Sequence, residues 1–131
     1  ATAVGTVPGT PAYMAPEMAL GEPVDGRADL YALGCVAYFL LTGQLVFGEG
    51  NAMESLVKRL HEHPEPPSAR TELPIPAELD ALVLACLARD PDERPASAAA
   101  LSQSLAAVPV DRWTEERARQ WWGVHRPHAG R

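Results

Sequence analysis

The stretch Arg27-Ala28-Asp29-Leu30-Tyr31-Ala32-Leu33-Gly34-Cys35-Val36-Ala37-Tyr38-Phe39-Leu40-Leu41 decides how the rest of the chain is read. After one acid it is apolar on every side. It shows neither the alternation of a half-buried strand nor the single stripe of a surface helix, so it predicts a helix enclosed by other elements. Gly43 stops it. The charge-free run from Leu30 to Thr42 is shorter than the roughly 18 to 20 residues that cross a bilayer. On local grounds alone Asp29, at the head of the helix, fits a cap or a partner of the helix dipole.

Moving outward, every periodic segment is helical and no strand is predicted, which makes the chain mainly α. Met53, Leu56, Val57 and Leu60 recur at i, i+3, i+4 and i+7, with Asn51 as cap and Glu54 three residues on, so an amphipathic helix over about 51–62 is expected with its charged face in solvent. Leu79, Leu82, Val83, Cys86 and Leu87 carry a stronger stripe over about 77–89. A further helix over about 97–107 has Ser97 as cap and turns Leu101, Leu105 and Val108 inward. Upstream, 1–13 is rich in Gly, Pro and Thr and reads as an irregular loop, followed by a short turn over 15–20. Five prolines between His63 and Pro76 predict an extended surface loop. After Pro109 the composition shifts to Trp and Arg; Thr114 caps a short helix expected to dock through Trp113, Trp121 and Trp122, and Gly123 to Arg131 are expected to fray.

Composition sets outer limits. The chain has 131 residues, 47% hydrophobic and 21% charged, with a formal net charge of -6 and Lys58 as its single lysine. That is globular composition, and it argues against a nucleic-acid surface or a polybasic membrane anchor. Cys35 and Cys86 are too few for a disulfide scaffold and sit in apolar runs, so both are read as buried free thiols. No initiator Met or basic n-region opens the sequence, which therefore resembles neither a natural start nor a signal peptide. Chemistry that the chain could perform by itself is hard to find. There is no GxxxxGK[ST] phosphate cradle and no GxSxG nucleophile elbow. The one cluster of metal-ligand types, His61-Glu62-His63-Pro64-Glu65, runs from a helix end into a proline loop, and no metal site is assigned.

Three motifs in fixed order do point somewhere. Gly9-Thr10-Pro11-Ala12-Tyr13-Met14-Ala15-Pro16-Glu17, then Asp29-Leu30-Tyr31-Ala32-Leu33-Gly34, then Asp90-Pro91-Asp92-Glu93-Arg94-Pro95 resemble the end of the activation segment, the central helix and the late arginine of eukaryotic-like protein serine/threonine kinases. The resemblance covers about 1–107 and implies a helical C-terminal kinase lobe: the end of an activation segment (1–17), a central helix (about 27–41) and helices over 51–62, 77–89 and 97–107. Residues 108–131 form an extension.

The resemblance also assigns roles. Glu17 and Arg94 would form a buried pair tying the activation segment to the later helices. Asp29 would anchor the catalytic loop, with Gly34 part of the same central-helix signature, and Val36 and Leu40 would stand at the base of the apolar column under the adenine. Gly9 and Thr10 would position the substrate hydroxyl, and Thr6, or Thr2, would accept an activating phosphate. Tyr31 replaces the family's Trp, and Val46 stands where a Pro is usual before Phe47. Phe39 occupies the position of a Glu found in kinases that prefer basic substrates. ATP and magnesium would serve the complete kinase, acting on Ser or Thr of a protein substrate; a cytoplasmic kinase domain is expected, with any membrane anchor outside these residues.

These 131 residues contain no Gly-rich loop, no VAIK-like lysine, no HRDxxxxN and no DFG. Those elements supply the phosphate grip, the base and the metal ligands. The chain alone is thus expected to bind no cofactor, to lack activity, and to need the N-lobe and catalytic loop as partners. Two other readings stand beside this one: a kinase-derived helical module that binds a protein through the 51–62 helix and the Trp-rich tail, and a pseudokinase.

Overall fold

The computed structural model describes residues 11–48 and 50–126, and no strand occurs among them. Six α-helices follow one another: α1 (Pro16–Ala19), α2 (Arg27–Thr42), α3 (Ala52–His61), α4 (Ala77–Cys86), α5 (Ala98–Ala106) and α6 (Glu115–His125). Short 3-10 turns occupy Pro11–Tyr13, Pro67–Arg70 and Pro91–Glu93. The helix starts follow their caps. Asn51 accepts from Glu54 N–H at 2.8 Å, Ser97 from Ala100 N–H at 3.0 Å and Thr114 from Arg117 N–H at 3.2 Å. Gly43 closes α2 in the left-handed conformation (φ 70°), and its N–H donates to Phe39 O at 2.7 Å.

The core lies on one side of α2. Ala28, Tyr31, Cys35 and Tyr38 pack with Ala15, Val46, Val83 and Leu87, while Leu30 meets Cys86 and Leu101 behind them. Both thiols are free and buried, and burial pushes that of Cys35 up to about 12, so it is protonated and unreactive at neutral pH. The opposite side of α2 departs from the expectation of an enclosed helix. Leu33, Val36, Phe39 and Leu40 are exposed, because α4 and the turns at Pro11–Tyr13 and Pro67–Arg70, which pack on α2, leave that side open.

Other expectations need correction as well. Pro67 is fully buried and Ser68 ties the Pro67–Arg70 turn to Asp80 on α4, so the proline-rich connection is partly folded inward rather than an extended surface loop. Arg70 holds that turn in place, donating to Leu45 O at 2.9 Å and Val46 O at 3.0 Å. Leu105 lies exposed at the rim of α5, since only Leu101 of that helix reaches the core. No residue of α6 is buried; its Trp side chains are exposed rather than docked, and Trp121 packs on its own helix neighbours Trp122 and His125. The Trp121–His125 stack and the Arg126 N–H bond to Trp122 O carry α6 through Gly123, where fraying was expected.

Tyr38 gives a simple test of the core. Its side chain is fully buried, yet its hydroxyl makes no hydrogen bond of ordinary geometry among the described residues, the Arg70 guanidinium, 5.6 Å from the ring centre, being its nearest charged neighbour. An unpaired buried hydroxyl is a desolvation cost, so Tyr38→Phe should raise stability by about 1 kcal/mol in a thermal melt. A loss of that size would show that the hydroxyl is paired after all.

Candidate functional site

The segment Pro11–Ala19 lies across the helical body and is held there by two arginines from distant parts of the chain. Ala15 turns it into α1 with no accessible surface, and the Pro at the first position of that helix costs no hydrogen bond. Glu17 in the first turn of α1 points into the body. Its carboxylate meets Arg94 as a two-pronged fork, Nη1 to Oε2 at 2.6 Å and Nη2 to Oε1 at 2.8 Å, with both side chains buried. Burial alone would push the Glu17 carboxyl up. The hydrogen bonds from Arg94 and from its own backbone N–H, together with the guanidinium charge, outweigh that and hold it below the ordinary glutamate range.

Arg94 does more than pair with the acid. Its Nε donates to Ala88 O at 2.8 Å, Nη1 also reaches Arg27 O at 3.0 Å and Nη2 also reaches Arg89 O at 3.2 Å. All five N–H donors of the guanidinium are therefore used, and its carbon sits 5.0 Å from the centre of the Tyr31 ring. The Ala88 and Arg89 carbonyls follow the end of α4, which explains why that helix stops at Cys86 rather than running to residue 89 as its pattern suggested. One side chain thus joins α1, the start of α2 and the end of α4.

On α2, Asp29, Leu33, Val36 and Leu40 fall at i, i+4, i+7 and i+11 and form a single stripe on the uncovered side. Asp29 is exposed, and so are the three apolar residues, Leu40 the most at 78%. Gly34, by contrast, is buried where α2 crosses α4: a Cβ built there would lie 2.8 Å from Cys86 Cβ. A shallow groove lined by Leu33, Leu82, Leu101 and Leu105 continues the apolar surface between α2, α4 and α5. Gly9, Thr10, Thr6 and Thr2 lie outside the described residues. Among the described residues no group of three or more His, Cys, Asp or Glu converges on a metal-sized site.

The second arginine was not anticipated. Arg59, on the face of α3 expected to be solvated, is only 3% exposed, while Met53 and Val57 of the apolar stripe stand 67% and 49% exposed. Its Nη2 donates to Ala12 O at 3.0 Å and contacts Ser55 Oγ at 3.2 Å. The guanidinium is buried because it serves a backbone carbonyl of the crossing segment, which no apolar residue could do. Periodicity carries no signal for this. The one pointer is Ser55, a short hydroxyl four residues earlier on the same face, which leaves room for the guanidinium and orients it.

Residues 2–106 match the protein kinase domain family. The chain is 47% identical over 104 residues to the serine/threonine-protein kinase Pkn1 of Myxococcus xanthus, covering 79% of this chain and 15% of that protein. It is 43% identical over 112 residues to pkn3 of the same organism, covering 85% of this chain and 20% of that protein. With the serine/threonine-protein kinase PknB of Mycobacterium tuberculosis it shares 42% identity over 107 residues, 82% of this chain and 17% of that protein. The chain therefore spans a fifth or less of the length of these curated relatives.

Proposed function

The chain belongs to the protein kinase domain family, and on that premise we propose that it is the substrate-facing, C-terminal part of a serine/threonine kinase domain whose catalytic loop and nucleotide-binding lobe lie outside these residues. The observation that carries this reading is the two-sided character of α2. One side builds the core, and the other presents Asp29, Leu33, Val36 and Leu40 as a bare stripe. A free-standing domain would bury an apolar stripe of this length. In a complete kinase Asp29 would receive backbone N–H groups of the catalytic loop, and Val36 and Leu40 would carry the column beneath the adenine.

The chemistry in the complete protein would be transfer of the γ-phosphoryl group of ATP, with magnesium, to a Ser or Thr hydroxyl of a protein. The residues of this chain do not fit the nucleotide or the metal, since none of the sequence elements that grip them is present. Their part is to place the acceptor: Gly9 and Thr10 orient the hydroxyl, and the Glu17–Arg94 fork fixes the segment that follows. Thr6, or Thr2, is the proposed acceptor of an activating phosphate.

A protein extended upstream to include the catalytic loop should phosphorylate Ser or Thr in a peptide, and the 131-residue chain should not. The chain alone should also bind a hydrophobic dye and self-associate through the bare face of α2. A dilute and concentrated monomer that binds no dye would overturn the reading. The alternative of a kinase-derived interaction module draws on the exposed Met53, Val57, Trp121 and Trp122. A stop or start codon immediately before Ala1 would favour it, and an in-frame HRDxxxxN would exclude it.

A further inference from the structure

We propose that Arg59 is a positioning residue: it fastens the Pro11–Tyr13 turn to α3 and thereby sets the register of the segment that presents the substrate hydroxyl. The proposal rests on the kinase reading above for its functional half; its structural half stands on geometry alone. Ala12 lies two residues after Thr10 and five before Glu17. The crossing segment is thus gripped twice, at Glu17 by Arg94 and at the Ala12 carbonyl by Arg59. Tyr13 packs against the core and the turn rests on α2, but the Glu17 grip and that packing leave the Ala12 carbonyl without a partner. The second grip supplies one and ties the turn to α3.

The burial pattern of α3 argues that this is the purpose of the contact. A helix that needed only to pack would turn its apolar stripe inward, and burying a guanidinium in its place costs stability unless its N–H groups are used. Here Arg59 is buried while the stripe is split, Leu56 and Leu60 half-buried but Met53 and Val57 exposed, so the charged residue lies deeper than any member of the apolar stripe beside the segment assigned to substrate. Ser55 holds the guanidinium from behind, and its positive charge reaches Tyr31 and Cys35 of α2, where it opposes the upward push of burial on both groups. Arg59 therefore joins α3 to the Pro11–Tyr13 turn.

The test uses the complete kinase carrying Arg59→Met and Arg59→Lys, together with hydrogen exchange on those proteins and on the 131-residue chain. Loss of one charge-assisted hydrogen bond predicts that Arg59→Met raises the peptide KM about tenfold. The ATP KM should stay within about twofold, as a contact remote from the nucleotide leaves its binding unchanged. Exchange in 12–15 should accelerate about tenfold while that of α4 stays constant. Arg59→Lys, which keeps the charge and a single donor nitrogen, should recover part of both effects. An unchanged peptide KM with unchanged exchange in 12–15 would overturn the proposal, and so would a parallel rise of both KM values with faster exchange throughout, the mark of a merely structural residue. If the unmodified complete protein transfers no phosphate, the kinase reading fails, and exchange in 12–15 alone then decides whether Arg59 fixes the turn.

Discussion

Arg94→Ala is expected to lower the melting temperature by roughly 10–20 °C, from a loss of about 3–5 kcal/mol for breaking one side of a buried ion pair. The size follows from what is left behind. Glu17 would remain buried without its fork, and the carbonyls of Ala88, Arg89 and Arg27 would each lose a donor. Arg94→Lys should recover little, because an ammonium on a flexible stem cannot place five donors in one plane. The double variant Glu17→Met/Arg94→Met separates the two contributions. Removing both charges together should restore part of the loss, whereas the three uncapped carbonyls keep it below the parent. Full recovery would mean that the carbonyl contacts contribute nothing.

The same pair fixes the sign of the pH dependence. Because the Glu17 carboxyl is held below its ordinary range in the folded chain, its contribution is complete above the unfolded value of about 4.3 and is lost as the pH falls through the folded one. In Arg94→Ala the acid stays buried without a counter-charge, so its folded value rises above the unfolded one and its penalty fades as it takes up a proton. The stability gap between parent and variant should therefore be widest near pH 7 and narrow as the pH falls to 4 and below. A gap independent of pH would show that the fork is not what Arg94→Ala removes.

Particular residues show which parts of this molecule are written in its sequence. The stripe of α4 and the caps Asn51, Ser97 and Thr114 are local signals, and the helices start where those signals place them. The likeness to a kinase lobe is legible for a different reason: three short motifs keep their order over some hundred residues. What local pattern could not give is the direction from which each helix is covered. The apolar run of α2 reads as enclosed, but none of the described residues covers its Val36 and Leu40 side. On α3 the apolar stripe is only half right: Leu56 and Leu60 are half-buried, but Met53 and Val57 are exposed and Arg59 takes the deepest place, where the neighbour is a backbone carbonyl that needs a donor. In α6 a helical pattern and three Trp residues predicted docking, yet the bulk of a side chain says nothing about whether a complementary surface is present.

Gly34→Val should be as damaging as loss of the arginine, for a purely steric reason. At the crossing of α2 and α4 a Cβ on residue 34 would sit 2.8 Å from Cys86 Cβ and 3.2 Å from Leu87 Cδ2. Carbon atoms in contact prefer about 3.5–4.0 Å, and Cys86 Cβ is fixed to the α4 backbone, so it cannot rotate away. The helices would have to separate by most of an ångström across a core that includes Tyr31, Cys35 and Val83. Gly34→Ala sets this strain, about 1–3 kcal/mol for overpacking, against a gain of up to about 1 kcal/mol in helix propensity, so a net loss is expected. Val adds two further methyl groups and gives up most of the propensity gain, which brings the loss to about 3 kcal/mol or more. Gly123→Ala in α6 is the control, since nothing lies within 4 Å of the added Cβ. It should stabilise its own helix by up to about 1 kcal/mol and leave the melt of the body in place. A Gly34→Ala protein that melts at or above the parent would show that α2 and α4 can part at no cost, and the close crossing would then not be what fixes the bare stripe of α2 relative to the Glu17–Arg94 fork.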